Sequence, residues 1–100
     1  MANITISLEE SGSKGRYVAQ VEGFEDVGEM TFSRLNPTLI IVDHTGVPDS
    51  LRGQGVGQAL AAHVVAEARA KSFRIVPLCP FLRAQFERHH PEWADVMVVS

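Results

Sequence analysis

Residues 38–66 read TLIIVDHTGVPDSLRGQGVGQALAAHVVA, and the order of patterns within them decides the fold. Thr38-Leu39-Ile40-Ile41-Val42 is an uninterrupted apolar run, as expected of a central strand covered on both faces. Asp43-His44-Thr45 continues it with polar residues, and Pro48-Asp49-Ser50 ends it. From Val56 the period changes. Val56, Leu60, Val64 and Ala68 recur every four residues, with Ala61 and Val65 beside them. Gln58, His63, Glu67, Arg69 and Lys71 take the other positions, which places His63 on the helix surface. The pattern predicts an amphipathic helix of about four turns.

The flanking segments extend this unit. Upstream, Ile4, Ile6 and Leu8 alternate with polar residues, as do Tyr17, Ala19 and Val21. The turn cluster Ser11-Gly12-Ser13-Lys14-Gly15 joins the two runs into a hairpin. Gly23 and Gly28 bracket a second turn, after which Met30 and Phe32 alternate with Thr31 and Ser33 as a third strand ending at Asn36-Pro37. Downstream, Phe73-Arg74-Ile75-Val76-Pro77-Leu78 reads as a strand ending at Cys79. Strand, helix and strand in this order imply a right-handed crossover and a parallel pair. Pro80 suits the first turn of a second helix with Leu82 and Phe86 on its buried face. His90-Pro91 stops that helix, and Trp93 with Val96-Met97-Val98-Val99 forms an apolar tail. The expectation is an α+β domain with a mixed, mostly antiparallel sheet, spanning residues 1–100 without an internal boundary.

Composition narrows the function. One hundred residues, 45% of them hydrophobic, suit one core. The formal charge of -3 argues against a nucleic-acid footprint, which needs clustered Lys and Arg. A single cysteine, Cys79, fits a reducing compartment, and the N-terminal residues lack a basic stretch followed by an apolar run. No apolar segment approaches the ~20 residues of a membrane span. A cytoplasmic protein is expected.

Arg52-Gly53-Gln54-Gly55-Val56-Gly57 lies between the buried strand and the helix. Glycine inside a helix costs roughly 0.5–1 kcal/mol relative to alanine, so three of them at a helix start call for a compensating role. The first N–H groups of a helix lack partners within it, and the dipole there favours an anion. Pyrophosphate is the natural guest, and Arg52 adds a fixed positive fork. Two other phosphate loops fail. A P-loop requires Gly-Lys-Ser/Thr, but Gly57 is followed by Gln58-Ala59. The dinucleotide fingerprint requires a third glycine at position 58, which is Gln58.

Arg52-x-x-Gly55-x-Gly57 after a central strand resembles the Arg/Gln-x-x-Gly-x-Gly/Ala motif of the GNAT N-acetyltransferase superfamily. His44-Thr45 with Val47-Pro48, Pro77-x-Cys79 followed by Phe81, and His90-Pro91-Glu92-Trp93 look like the short single-domain members of that group. The resemblance covers roughly residues 25–95. It implies a fold in which the fourth and fifth strands splay apart and acetyl-CoA lies in the gap. Val47, Arg52, Gly53, Gln54, Gly55, Val56 and Gly57 would hold it, with the backbone of Gln54 to Gly57 on the pyrophosphate. The implied reaction is direct transfer of the acetyl group to an amine. The larger members carry extra helices before the third strand, and their absence here implies an open acceptor side suited to a protein amine such as lysine. Many short members carry Glu where this chain has Gly46, and a non-catalytic acyl-CoA-binding or protein-interaction module is the alternative.

Two residues stand out as chemical groups. His44, at the end of the buried strand, can accept a proton near neutral pH, or can hold the loop by a hydrogen bond. Cys79 can donate a proton to the departing thiolate, act as a nucleophile, or pack as a small buried hydrophobe. His63, Cys79, His89 and His90 have no zinc spacing, so no metal is expected.

Overall fold

Alternation in the first twenty residues produces a hairpin of β1 (Ile4–Ser11) and β2 (Lys14–Val21) in a computed structural model that describes residues 3–99. The five-residue turn cluster contracts to Gly12-Ser13, so each strand is longer than its apolar alternation suggests. β3 (Val27–Asn36) pairs with β2, and β4 (Leu39–Gly46) with β3, all antiparallel. A short 3-10 turn at Asp49–Leu51 and the glycine loop lead into α1 (Val56–Lys71). β5 (Arg74–Pro77) returns parallel to β4, giving one sheet of order β1-β2-β3-β4-β5. α2 (Pro80–His89) follows, then a 3-10 turn at Pro91–Asp95. The expected α+β architecture with a mixed sheet and a parallel crossover pair is present.

Every predicted apolar position of α1 is buried: Val56, Leu60, Ala61, Val64, Val65 and Ala68. The helix covers the sheet face that bears Tyr17, Ala19, Met30, Phe32, Ile40 and Val42, all at most 2% exposed. Gly28 makes this approach possible. It lies inside β3 rather than closing the preceding turn, and a Cβ there would sit 2.5 Å from Val56 Cγ1. His63 is half-buried against the edge of the Tyr17 ring at 5.3 Å rather than free on the helix surface.

The opposite register is another matter. Val18, Glu29, Thr31, Ile41 and Val76 share the outer face, and all are only half-buried. The expectation that the 38–42 strand is covered on both faces is therefore corrected. Ile40 and Val42 are buried, whereas Leu39 and Ile41 are not, because α1 packs against one side only. A continuous apolar run is compatible with either outcome.

The apolar tail has a structural job that its composition does not reveal. Ile75 donates its N–H to Val96 and accepts one from Val98, at 2.7 and 2.8 Å, which extends the sheet beyond β5 by one parallel bridge. Trp93 is 5% exposed and stacks on His90 with ring centroids 4.0 Å apart.

Candidate functional site

The glycine loop begins where its backbone leaves ordinary dihedral space. Gly53 and Gly55 have φ of +86° and +75°, the left-handed region that only glycine enters cheaply. A Cβ at either position would meet nothing within 4 Å among the described residues, so the requirement for glycine there is conformational and the space beside the loop is open. Gly55 is also the N-cap of α1, and no side chain among the described residues caps the helix. The uncapped first-turn N–H groups therefore face outward with the positive end of a sixteen-residue helix behind them. Arg52 extends from the same loop, 83% exposed and anchored by Asp49 Oδ1 at 2.8 Å.

These groups line a cleft of about 220 Å³, bordered by Val47, Pro48, Arg52, Gly55, Gly57 and Phe81. Six of the seven residues expected on sequence grounds to hold an acyl-CoA line it: Val47, Arg52, Gly53, Gly55, Val56 and Gly57. Gln54 is half-buried within the loop and donates its N–H to Leu51 O at 3.1 Å, so that group is already engaged. Gly57 differs from the other two loop glycines. It is buried, and a Cβ on it would lie 2.7 Å from Phe81 Cζ. Its small size serves the packing of the two helices as well as the cleft.

Next to this cleft the sheet opens. Pairing of β4 with β5 ends at Val42–Pro77, and the last backbone contact is Cys79 N–H to Val42 O at 2.9 Å. From Asp43 to Gly46 β4 keeps β3 as a neighbour and has none of β5. Cys79 lies beyond β5, at the N-cap of α2, and is 2% exposed. It is thus a buried group at the mouth of the opening rather than the last residue of the strand. Its Sγ is 3.1 Å from Thr45 Oγ1.

His44 lies on the outer face, and a bulge puts it there. Phe32 pairs with Val42 and Thr31 with His44, so Asp43 is an extra residue in β4. Asp43 and His44 consequently both point away from the core and are exposed, with Val42 and Thr45 on the inner side. Thr31 Oγ1 donates to Asp43 and fixes the bulge. The structure brings His44 and Cys79 to the same stretch of β4 but to its opposite faces.

Beside His44 is a second cleft, about 380 Å³, lined by Arg16, Val27, Glu29, Gly46, Val47 and Pro48. Val47 and Pro48 are common to both clefts, so the two adjoin across this pair. Glu29 stands directly opposite Gly46 in the strand pairing and accepts a hydrogen bond from Arg16 Nη1 at 2.9 Å. The Arg16 guanidinium, held first by Glu29 and then by Glu9, has its pKa raised. A larger depression of about 400 Å³ lies on the far side of Arg16, against Glu9, Glu10, Lys14 and Asp43. It does not touch the glycine loop.

Sequence reasoning missed Glu29, Thr45 and the role of Phe81. Alternation with Met30 and Phe32 was enough to put Glu29 on the outer face. Only the register of β3 against β4 sets it opposite Gly46.

No helix among the described residues is long and apolar enough to cross a membrane. Comparison with curated proteins finds no significant match. Among solved structures, this chain is similar to the NMR solution structure of a protein from Staphylococcus aureus described provisionally as a GCN5-like N-acetyltransferase. The two share 29% identity with a TM-score of 0.67, over 94% of this chain and 89% of the other. The sequence profile of the GCN5-related N-acetyl-transferase family matches residues 16–96. The match takes in the bulged strand, the glycine loop and both helices, and the chain belongs to the GCN5-related N-acetyltransferase family.

Proposed function

We propose that this protein, as one domain, transfers an acetyl group from acetyl-CoA to an amine, with a protein lysine as the favoured acceptor. The observation that carries the reading is the cleft at the uncapped start of α1. Its left-handed glycines, its open space and its exposed Arg52 match the needs of a pyrophosphate. The unpaired edge of β4 from Asp43 to Gly46 offers backbone groups to an extended, amide-containing arm. Acetyl-CoA supplies an activated acyl group as a thioester.

The remaining chemistry falls to side chains along β4. An amine must be neutral to attack. His44, exposed on the outer face, takes the proton that the amine sheds. The new C–N bond replaces the C–S bond, and the departing thiolate needs a proton. Cys79, paired with the Thr45 hydroxyl at the opening, donates it and regains one from solvent. Its burial favours direct transfer over a free nucleophilic thiol. A single buried cysteine also suits the reducing cytoplasm.

Gly46 favours a second reading, because an acid found in many short relatives is missing there. In that case the chain binds acyl-CoA without turning it over. Calorimetric titration with acetyl-CoA and with CoA, followed by a peptide-amine transfer assay, separates the two. Saturable binding near micromolar, about -8 kcal/mol, with acetylation of lysine peptides supports the transferase. Binding without acetylation supports the second reading, and no heat at millimolar ligand overturns both.

A further inference from the structure

We infer that the hollow over Gly46 is the acceptor-amine subsite, in which Glu29 receives a primary ammonium group. The inference rests on the acyltransferase reading and names the class of its second substrate. Gly46 is not in the left-handed region, so its backbone does not require glycine. What the missing side chain allows is the close approach of the His44 imidazole. A Cβ at this position would lie 3.1 Å from His44 Nε2 and 3.8 Å from Glu29 Cγ. An imidazole and a carboxylate-bearing side chain thus both stand within 4 Å of one point on the floor of the outer cleft.

An ammonium group fits this arrangement. It has three N–H donors and a full positive charge. Glu29 offers a charged acceptor and His44 Nε2 a neutral one. Arg16 is already engaged by Glu9 and Glu29 at 2.8 and 2.9 Å, which orients the Glu29 carboxylate. Among the described residues of the cleft Glu29 is the one acid and Arg16 the one base, and Arg16 is shared with Glu9, so Glu29 keeps acceptor capacity for a cation. The common wall at Val47–Pro48 puts the hollow beside the cleft assigned to acetyl-CoA.

The proton balance is complete. The ammonium binds with its charge against Glu29 and gives one proton to His44. Its freed lone pair forms the C–N bond as the C–S bond breaks. The second surplus proton on nitrogen leaves to solvent as the amide forms. Gly46 is then not a lost acid. The carboxylate comes from the neighbouring strand, and the glycine lets the His44 imidazole lie close to it.

The test uses n-butylammonium chloride as the cationic probe and n-butanol as its neutral counterpart, each titrated into the full chain with backbone amides followed by NMR. Saturable shifts at Glu29, His44 and Gly46 with butylammonium and not with butanol are expected. Glu29→Gln should weaken them at least tenfold, and Gly46→Val, which fills the hollow, should do the same. Glu29→Asp, which keeps the charge, should retain part of the response. Acetyl-CoA affinity should stay within twofold of the unaltered protein in Glu29→Gln and Glu29→Asp. Equal shifts with butanol, or an unchanged response in Glu29→Gln, overturns the subsite even where acetyl-CoA binds. Loss of acetyl-CoA binding by the unaltered protein instead removes the reading beneath it, and this readout registers that separately.

Discussion

Gly57 and Phe81 meet where the two helices begin. A Cβ on Gly57 would lie 2.7 Å from Phe81 Cζ and 3.1 Å from Cε2. The contact closes one end of the glycine cleft with an aromatic ring carried by α2. It also divides the three glycines of the loop by function. Gly53 and Gly55 are needed for their dihedral angles, and Gly57 is needed for its size.

Gly57→Glu therefore acts twice on the cleft. Its side chain displaces Phe81, and its charge opposes an anion at the helix start. Affinity for acetyl-CoA is expected to fall more than tenfold, a loss above ~1.4 kcal/mol. Phe81 is half-buried at the tip of a side chain that can turn outward, so the fold should survive. Calorimetry together with far-UV circular dichroism checks both parts. An unchanged affinity removes the loop from the site.

Gly55→Ala probes the conformational requirement alone. Nothing among the described residues would touch the new methyl group within 4 Å. Its cost comes from a left-handed backbone at φ +75°, roughly 1–2 kcal/mol for an L residue. For a domain of this size that corresponds to a drop in Tm of about 4–16 °C. Thermal unfolding of this variant beside Ala59→Gly, a change in the first turn of α1, distinguishes the dihedral effect from general weakening of the helix. No change in Tm for Gly55→Ala contradicts the left-handed assignment.

His44→Ala should slow transfer while leaving acetyl-CoA affinity near normal. The imidazole is on the outer face, away from the glycine cleft, and no hydrogen bond from it supports the fold among the described residues. A general base contributes typically 10²–10⁴-fold, so a fall of at least tenfold in kcat is expected. Steady-state rates on a lysine peptide decide it. If kcat is unchanged and stability falls instead, His44 is structural.

Tyr17 makes stability sensitive to alkali. Burial, and then the charge of Glu67, push its phenol up to about 12 from 10.0. Between those values the folded protein keeps the proton that the unfolded chain releases. The contribution is complete below the unfolded pKa and is lost as pH rises through the folded one. At 1% exposure the two-unit shift corresponds to about 2–3 kcal/mol. Urea midpoints should fall between pH 10 and about 12 in the unaltered protein, and less steeply in Tyr17→Phe. Parallel curves for the two would show that other groups control the alkaline transition.

Local periodicity determined a great deal of this molecule. The four-residue recurrence from Val56 to Ala68 fixed α1 and its buried stripe, because one turn of helix repeats that spacing. Alternation in β1 to β3 marked which side chains point inward. The density of glycine before Val56 located the cleft, because backbone cost without local benefit signals a ligand or a close contact. The tertiary structure decided the rest. The extra residue at Asp43 turns His44 outward, and its existence depends on how β3 pairs with β4. Glu29 faces Gly46 across seventeen residues of chain, Phe81 reaches Gly57 from the other helix, and Val96 to Val98 dock on Ile75. Register and helix packing are set by burial summed over the whole sheet, and no short window of sequence contains that sum.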